Sequence, residues 1–182
     1  MNHHDHVRLL QKGVPKQGGV WTDLGAGEGA FTLALAELTG PASIIYAVDR
    51  DSSALRRLAR TMAERFPEVT LHTLVADFEH PLPGLPQPGE AESGLDGIVM
   101  ANSLHFVRNK AETLARVRGY LKTGGRLLMV EYNSDHGNMW VPHPFSYSTW
   151  QRLSRTCGFE HTELLATYPS RFMNEIYAAA SW

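Results

Sequence analysis

A glycine-rich turn near the start of the chain constrains the fold more than any other feature of the sequence. Residues 20–24 form a short, mostly apolar run, typical of a buried strand, and residues 30–38 have the pattern of a helix. Between them glycine recurs at every second position, at Gly25, Gly27 and Gly29. Glycine lets the backbone turn tightly and approach a ligand where a side chain would collide. The sequence therefore predicts a strand that enters a helix through a turn suited to ligand binding.

The three glycines are expected to have different roles. Gly25 suits the tight turn, Gly27 the close approach to a ligand, and Gly29 the packing of the helix start against the sheet. The N-terminus of the helix adds backbone N–H groups without a helical partner, which can receive a carboxylate or a phosphate. Glycines also stand at strand–helix turns simply to make the turn, so this motif alone leaves a structural and a ligand-binding role open.

Two further predicted strands end in an acidic residue. Residues 44–48 are apolar and end at Asp49, about where a dinucleotide-binding fold places the carboxylate that binds both ribose hydroxyls. Residues 69–75 form a third strand, followed by Asp77 and Phe78. A carboxylate beside apolar side chains suits a nucleoside base with an exocyclic amine. A helix cap or a core phenylalanine would explain the same residues, and the glycine turn upstream is what favours a nucleoside site.

Helices and strands alternate along the rest of the chain. The further predicted elements are helices at 54–65, 110–121 and 148–156, strands at 95–100 and 126–131, and strand-like segments at 159–167 and 172–179. Only residues 168–171 separate the last two, so they should form an antiparallel hairpin. The sequence predicts an α/β fold with a doubly wound, mostly parallel seven-stranded sheet that ends in this hairpin. Residues 81–94 carry four prolines and three glycines and are expected to form a surface loop.

Composition favours one domain over residues 1–182, of which 1–19 are an N-terminal extension. The chain is 43% hydrophobic, enough for one substantial core. Its net charge of −2 gives no basic surface for nucleic acid or for an acidic membrane. The single cysteine, Cys157, excludes an intramolecular disulfide and fits a reducing compartment. No apolar run is long enough to cross a membrane and no signal peptide is evident, so we expect a cytoplasmic protein.

The N-terminal segment contains three closely spaced histidines. His3, His4 and His6 are expected to belong to a solvated chain end and not to a metal site. Residues 6–12 can form a short helix ahead of the first strand. Such a helix would lie beside the glycine turn, where it could act as a lid over a ligand.

In this order and spacing, the motifs from Val20 to Ala179 resemble those of the class I S-adenosylmethionine-dependent methyltransferases, which have a Rossmann-like fold. Residues 23–29 resemble the first motif of that family, because their alternating glycines differ from the G-x-G-x-x-G of nicotinamide and flavin enzymes. Asp49 falls where the family has its ribose-binding acid. Residues 101–106 resemble the loop that borders the methionine group and the acceptor. An antiparallel last strand is the topological signature of the family.

The resemblance implies S-adenosylmethionine as cofactor, S-adenosylhomocysteine as product and a small molecule as methyl acceptor. Asp23 would organise the methionine ammonium, Asp49 would bind the ribose and Asp77 the adenine amine. The residues that the resemblance assigns to cofactor binding are Asp23, Gly25, Ala26, Gly27, Asp49, Arg50, Asp77, Phe78, Ala101 and Asn102. It assigns no metal ligand and no membrane or nucleic-acid partner, and it leaves a homodimer open.

An acceptor that must lose a proton needs a general base. His105, Glu131, His136 and His143 follow the fourth and fifth strands, so they belong to the carboxyl edge of the sheet. His105 is the first candidate and Glu131 the second, since an imidazole takes a proton near neutral pH. A histidine that only orients a neighbour or faces solvent is an equal alternative. Glu131, Asp135, His136 and His143 fit no regular spacing of metal ligands, which favours a polar loop.

Missing motifs narrow the acceptor that the resemblance implies. No Asn-Pro-Pro-aromatic motif follows the fourth strand, and Cys157 does not lie in a Pro-Cys loop. These absences argue against amino-methylation of a base and against cytosine C5 chemistry. One cysteine cannot supply the thiols for arsenite methylation, and the acidic triad of cation-dependent catechol enzymes is not evident. The run from Asn102 to Phe106 looks most like enzymes that methylate small molecules.

Four aromatic residues after the fifth strand are candidates for an acceptor pocket. They are Trp140, Phe145, Tyr147 and Trp150. Such a pocket would suit an aromatic or cationic substrate, although aromatics near a helix also build cores. Two other functions stay open at this stage. One is a non-catalytic protein of the same fold that binds S-adenosylmethionine or regulates a partner. The other is a nicotinamide-dependent oxidoreductase, which the glycine spacing disfavours.

Overall fold

The computed structural model describes residues 1–88 and 94–182 and contains one seven-stranded sheet. The strands are β1 (Gly19–Leu24), β2 (Ser43–Asp49), β3 (Thr70–Val75), β4 (Leu95–Ala101), β5 (Leu121–Tyr132), β6 (Thr162–Ser170) and β7 (Asn174–Ser181). The helices are α1 (His3–Leu10), α2 (Ala30–Thr39), α3 (Ser52–Arg65), α4 (Lys110–Arg118) and α5 (Tyr147–Thr156), with a 3-10 turn at Leu104–Phe106. The strand order is β3-β2-β1-β4-β5-β7-β6. Strands β1 to β5 pair in parallel, and β7 runs antiparallel to both β5 and β6. The predicted fold class is confirmed.

Both faces of the sheet are buried, which explains why its central strands are continuous apolar runs. Successive side chains of β4 point to opposite faces. Val99 packs into a core with Leu35 of α2 and Leu58 of α3. Met100 packs into a second core with Leu114 of α4 and, further along the chain, Trp150 of α5. Within the described residues, no helix combines the length and the apolar character that crossing a bilayer requires.

The predicted end of helix α4 and the predicted bounds of the two C-terminal strands are wrong, because strand pairing sets these boundaries and the local sequence pattern does not. Helix α4 ends at Arg118 and not at residue 121, since Leu121 already pairs with Leu95 of β4. Residues 122–125 are an irregularity inside β5, with Gly124 at a φ of 76°. The predicted C-terminal hairpin is confirmed as antiparallel, but its strands lie two to three residues later than expected, at Thr162–Ser170 and Asn174–Ser181.

The proline-rich segment before β4 is only partly described. Residues 81–88 form neither a helix nor a regular strand, as predicted. Leu82 and Leu85 are nevertheless buried, and the Tyr120 hydroxyl accepts a hydrogen bond from the backbone N–H of Leu82 at 2.9 Å. Residues 89–93 of the predicted loop lie outside the described residues.

Gly29 packs against a helix and not against the sheet, which corrects the expected role. It is the N-cap of α2 with a φ of 89°, and a Cβ placed on it would overlap Cδ1 of Leu58 in α3. Gly18 also has a positive φ, 76°, but a Cβ there would meet nothing within 4 Å. Comparing alanine substitutions at these two glycines therefore separates the loss of stability caused by backbone strain from the loss caused by crowding.

Gly29→Ala is expected to lower the free energy of unfolding by roughly 1–3 kcal/mol more than Gly18→Ala, because only Gly29 is crowded. Both variants carry the strain of an L-residue at positive φ. Urea denaturation of the two variants beside the wild type measures the difference. Equal losses would mean that Leu58 moves aside at no cost and that packing does not require glycine at position 29.

Candidate functional site

Two cavities lie over the carboxyl ends of β1, β2 and β4, and they share Gly25 and Asn102. The Asp49 cavity, of about 240 Å³, is lined by Gly25, Asp49, Arg50, Ala76, Asp77, Phe78, Glu79, Asn102, Ser103 and Phe106. The Asp23 cavity, of about 210 Å³, is lined by Met1, His6, Asp23, Gly25, Ala26, Glu28, Ala30, Phe31, Ala101 and Asn102. The predicted cofactor-binding residues thus come together around these cavities, except for Gly27, which lines neither.

The glycine turn is held to the end of β2 by its own backbone. The N–H groups of Gly25 and Ala26 both donate to the Val48 carbonyl, at 2.9 and 3.0 Å. The Gly27 N–H donates to Oδ2 of Asp49 at 2.8 Å. These three N–H groups are therefore used inside the protein. Their effect is to fix the Asp49 carboxylate at the rim of its cavity, with the Asp51 N–H donating to the other oxygen at 2.8 Å.

At Gly25 the glycine turn passes close to the loop that follows β4. Its φ is 83°, and a Cβ there would lie 2.5 Å from Cβ of Ser103 and 3.4 Å from the Phe78 ring. The Ser103 hydroxyl donates to the Leu24 carbonyl at 2.8 Å, which ties the loop after β4 to the end of β1. Ser103 was not predicted as a site residue. The signal in the sequence that points to it is its place in the loop at residues 101–106, after the fourth strand.

Asp23 is buried at the wall of its cavity, with 1% of its surface exposed. The Thr32 hydroxyl donates to its Oδ2 at 2.6 Å, and the Thr32 backbone N–H adds a second hydrogen bond. The N-terminal turn of α2 therefore binds a carboxylate of the chain itself. Burial, with a smaller contribution from the charge of Asp49, raises the pKa of Asp23 to about 7 in spite of these two hydrogen bonds. A cavity-wall acid that titrates near neutral pH is a strong candidate for a binding group.

The far side of the Asp49 cavity carries the acid and aromatic pair that follows β3. Oδ1 of Asp77 accepts from the Glu79 N–H at 2.9 Å, and Oδ2 lies 3.5 Å from Nη1 of Arg50. Phe78 lines the same cavity and lies over Gly25. The pair and Arg50 therefore line the same cavity.

Asn102 has an unpaired buried acceptor. It takes a left-handed backbone conformation, with a φ of 51°, which asparagine tolerates better than most residues. Its N–H donates to the Val130 carbonyl at 2.8 Å. Its side-chain Oδ1 is buried and has no partner among the described residues. Because an unpaired buried acceptor is costly, this atom favours a ligand that brings a donor to the wall that Ala101 and Asn102 share.

His105 and Glu131 form a buried pair. Nδ1 of His105 lies 2.8 Å from Oε2 of Glu131, and the His105 backbone N–H donates to Oε1 at 3.1 Å. Glu131 is the penultimate residue of β5 and is buried like His105, and both of its carboxylate oxygens are hydrogen-bonded to His105, so it is placed as a partner of that residue. A carboxylate only accepts, so in the neutral imidazole this contact puts the proton on Nδ1 and the lone pair on Nε2.

Among the other base and metal candidates, Asp135 has a structural role, and His136 and His143 contact their neighbours through backbone N–H groups. Asp135 accepts from the backbone N–H and the hydroxyl of Ser146, at 2.9 and 2.8 Å, at the start of α5. The His143 N–H donates to the His105 carbonyl at 3.0 Å. His136 lies in the exposed loop after β5 and donates its N–H to Ser134. Among the described residues, no three His, Cys, Asp or Glu side chains come together as a metal site.

The predicted aromatic pocket is wrong for two of its four members. Phe145 and Trp150 are buried in the core beneath α4 and α5, because α5 turns its apolar face to the sheet. Tyr147 packs edge-on against Tyr177. Trp140 is 66% exposed. The sequence shows all four as aromatic, and only the packing separates the core residues from the exposed one.

The N-terminal histidines are part of a helix and not of a solvated chain end. Asn2 caps α1 by accepting from the Asp5 N–H, and the Asp5 carboxylate accepts from the Asn2 N–H. His3 lies 2.7 Å from Glu37 of α2. The His6 ring packs on Phe31 with centroids 4.7 Å apart and lines the Asp23 cavity. The predicted helix is present but begins three residues earlier.

The chain is similar to known methyltransferases. Residues 22–127, more than half of the chain, match the family model described as a methyltransferase domain. The reducing polyketide synthase grgA of a Penicillium species is 28% identical over 178 residues, which cover 87% of this chain and 7% of that protein. The ubiquinone/menaquinone biosynthesis C-methyltransferase UbiE of Burkholderia mallei is 27% identical over 135 residues, which cover 74% of this chain and 50% of that protein.

A solved structure matches the whole fold. The crystal structure of the YcgJ protein from Bacillus subtilis has a TM-score of 0.74 and 14% identity, and the match covers 98% of each chain. This likeness concerns the fold alone, and the chain spans half or less of the length of the two curated relatives. The family match, on a sheet of this order, shows that the chain belongs to the class I S-adenosylmethionine-dependent methyltransferases.

Proposed function

We propose that the chain binds S-adenosylmethionine across the two cavities and catalyses methyl transfer to a small-molecule acceptor. The observation that carries this proposal is the pair of acceptors at the Asp23 cavity. The Asp23 carboxylate and the unpaired Oδ1 of Asn102 together suit an ammonium group. A nicotinamide dinucleotide offers no primary ammonium to them. Its pyrophosphate would also find the N–H groups of Gly25, Ala26 and Gly27 already bonded within the protein.

The rest of the site fits the other parts of the cofactor. Asp49, fixed by the Gly27 and Asp51 N–H groups, would accept from the two ribose hydroxyls. Asp77 would accept from the adenine amine, and the Phe78 ring would lie against the base. When bound, S-adenosylmethionine supplies a methyl group on a positively charged sulfur, and the S–CH₃ electron pair stays on the sulfur as S-adenosylhomocysteine forms. The protein then needs mainly to align the acceptor and exclude water.

His105 is the general base in this proposal. The acceptor loses a proton to Nε2, and its freed electron pair forms the new bond to the methyl group. Glu131 is a positioning residue, because its two oxygens hold the imidazole and the backbone of His105 and stabilise the imidazolium that forms. UbiE is described as a C-methyltransferase. Its name supports a carbon acceptor, which needs such a base when neighbouring oxygens acidify its C–H bond.

Two finer points belong to the same proposal. The α1 segment, which brings Met1 and His6 to the Asp23 cavity, would cover the methionine end of the cofactor as a lid. The free thiol of Cys157 supports a reducing, cytoplasmic location.

Calorimetric titration with S-adenosylmethionine and S-adenosylhomocysteine tests the cofactor. We expect one saturable site, and we expect Asp49→Ala to weaken binding by at least about 100-fold, since two hydrogen bonds to a charged group are lost. Asp51→Asn is the matched control, because its side chain caps α3 two residues further on and asparagine caps as well. It should bind like the wild type.

The other outcomes decide between the alternatives. Binding of NAD with neither of the two sulfur compounds would overturn the proposal in favour of an oxidoreductase. Tight S-adenosylmethionine binding without transfer of a labelled methyl group to any acceptor of a broad panel would favour the non-catalytic alternative.

A further inference from the structure

Five rings form a continuous row at the carboxyl edge of the sheet. In order they are Phe106, His105, Tyr132, Phe172 and Trp140. Their successive centroids lie 4.3, 6.1, 5.7 and 6.1 Å apart, and the interplanar angles range from 48° to 76°. These tilted contacts are the arrangements that aromatic rings prefer. We call these five residues the aromatic row.

Most of the row is open to solvent. Trp140 is 66% exposed, Phe106 55% and Phe172 50%, and the neighbouring Met139 is 81% exposed. Single exposed apolar residues are ordinary, but a contiguous group of large ones marks a binding surface. The aromatic row is therefore a candidate ligand-binding surface.

The loops that present the exposed rings are held in place. Oδ1 of Asn138 accepts from the N–H groups of Trp140 and Val141, both at 2.9 Å. The Ser170 hydroxyl accepts from the Phe172 N–H at 3.2 Å, in the turn between β6 and β7. Nδ2 of Asn138 lies 3.5 Å from Sδ of Met173, which joins the two loops. Rings on a preorganised support lose little conformational freedom when a ligand binds.

The row begins at the proposed cofactor site and contains the proposed base. Phe106 lines the Asp49 cavity. His105 is the second ring, and its Nδ1 is used by Glu131. A flat molecule lying along Phe172 and Tyr132 would therefore reach His105 and Phe106 at its inner end. The other four residues of the row present ring faces and edges and carry no charge at neutral pH, so they offer stacking contacts to a flat ring.

We propose that the aromatic row is the acceptor-binding surface and that it selects a planar aromatic acceptor with an ionisable proton, such as a fused-ring phenol. This inference rests on the proposed function, because it places the acidic proton at Nε2 of His105 and the receiving atom beside the cofactor. Trp140 and Phe172 are specificity-determining residues in it.

The probe for this proposal is 2-naphthol, and its saturated counterpart, decahydro-2-naphthol, is the matched ligand. Binding is measured by calorimetry and by quenching of tryptophan fluorescence, first without any cofactor. We expect 2-naphthol to bind at least about tenfold more tightly than decahydro-2-naphthol. Trp140→Leu and Phe172→Leu should each raise its Kd roughly 3–10-fold, since each removes a ring contact but keeps an apolar side chain. Leu164→Ala, at an exposed apolar residue of β6 outside the row, should change nothing.

Equal binding of the two ligands, or equal binding by the variants and the wild type, would overturn the proposal. A shift in sedimentation coefficient with Trp140→Leu, without a change in naphthol affinity, would overturn it as well and assign the row to a second copy of the chain. If the wild type does not bind S-adenosylhomocysteine, that result would contradict the proposed function and not the role of the aromatic row. Because the naphthol titration needs no cofactor, the two failures are distinguishable.

Discussion

His105→Gln is expected to lower kcat for methyl transfer by roughly 10²–10⁴-fold, the usual contribution of a general base. The Kd for S-adenosylmethionine should stay within about twofold, because His105 lines neither cavity. Glutamine cannot take a proton at neutral pH, but it retains a polar group of similar size. Single-turnover kinetics with labelled cofactor measure the chemical step, and calorimetry measures the binding.

Glu131→Gln tests the positioning role of Glu131 in the same reaction. An amide keeps one acceptor for His105 but loses the second and the negative charge, so kcat should fall less than with His105→Gln. The double variant should be no slower than His105→Gln alone, since the two residues act as a unit. His143→Gln is the matched control, because only its backbone N–H contacts His105. Unchanged kcat in His105→Gln would show that the buried pair is structural and that the acceptor needs no base.

Asp23→Asn is expected to stabilise the ligand-free protein at pH 8 by on the order of 4 kcal/mol, while removing most of its affinity for S-adenosylmethionine. The pKa of Asp23 is about 7 in the folded protein, against 3.8 for an unperturbed aspartate. Between these two values the unfolded chain releases the proton and the folded chain keeps it. The wild type therefore loses stability as pH rises from about 4 to 7, and the variant does not.

Urea denaturation of both proteins at pH 4.5, 6 and 8 checks this prediction. The difference in unfolding free energy should be small at pH 4.5 and reach its full size at pH 8. Asp77→Asn is the matched control, since Asp77 also follows a strand but is only part-buried. A pH-independent difference for Asp23→Asn would mean that Asp23 is already ionised throughout this range. That result would contradict the role of burial in raising its pKa.

The strand-end acids were predictable because parallel strands bring their carboxyl ends to one edge. A strand pattern and a glycine turn were enough to identify Asp49, and the family resemblance added Asp23. The partner of each acid was not predictable. The N–H group of Gly27 donates to Asp49 and the hydroxyl of Thr32 donates to Asp23. Both contacts depend on how the glycine turn folds back over the strand ends.

The contact between His105 and Glu131 illustrates the same limit. The two residues lie 26 positions apart, and they meet because β4 and β5 pair with Ala101 opposite Val130. A shift of this register by one residue would turn Glu131 to the other face of the sheet. Residue type identified both as candidates, but the strand register determines that the two side chains meet.

Burial was the least predictable property of the aromatic residues. Trp140 and Trp150 are the same residue type, ten positions apart. One is exposed in a loop, and the other lies in the core beneath α5. Phe106 and Phe172 were not among the four aromatic residues of the predicted pocket, because nothing near them along the chain shows that both belong to one row of rings.

The reversed direction of β7 has a consequence for how such a protein can diversify. Since β7 runs against all its neighbours, the turn at residues 171–173 returns to the same edge as the ends of β1, β2 and β4. Insertions in a surface turn cost little stability. A longer or altered turn would reshape the wall that carries Phe172, while the glycine turn and Asp49 stay as they are. In the proposed function, changes in these three residues would alter the surface that binds the acceptor and leave the residues that bind the methyl donor unchanged.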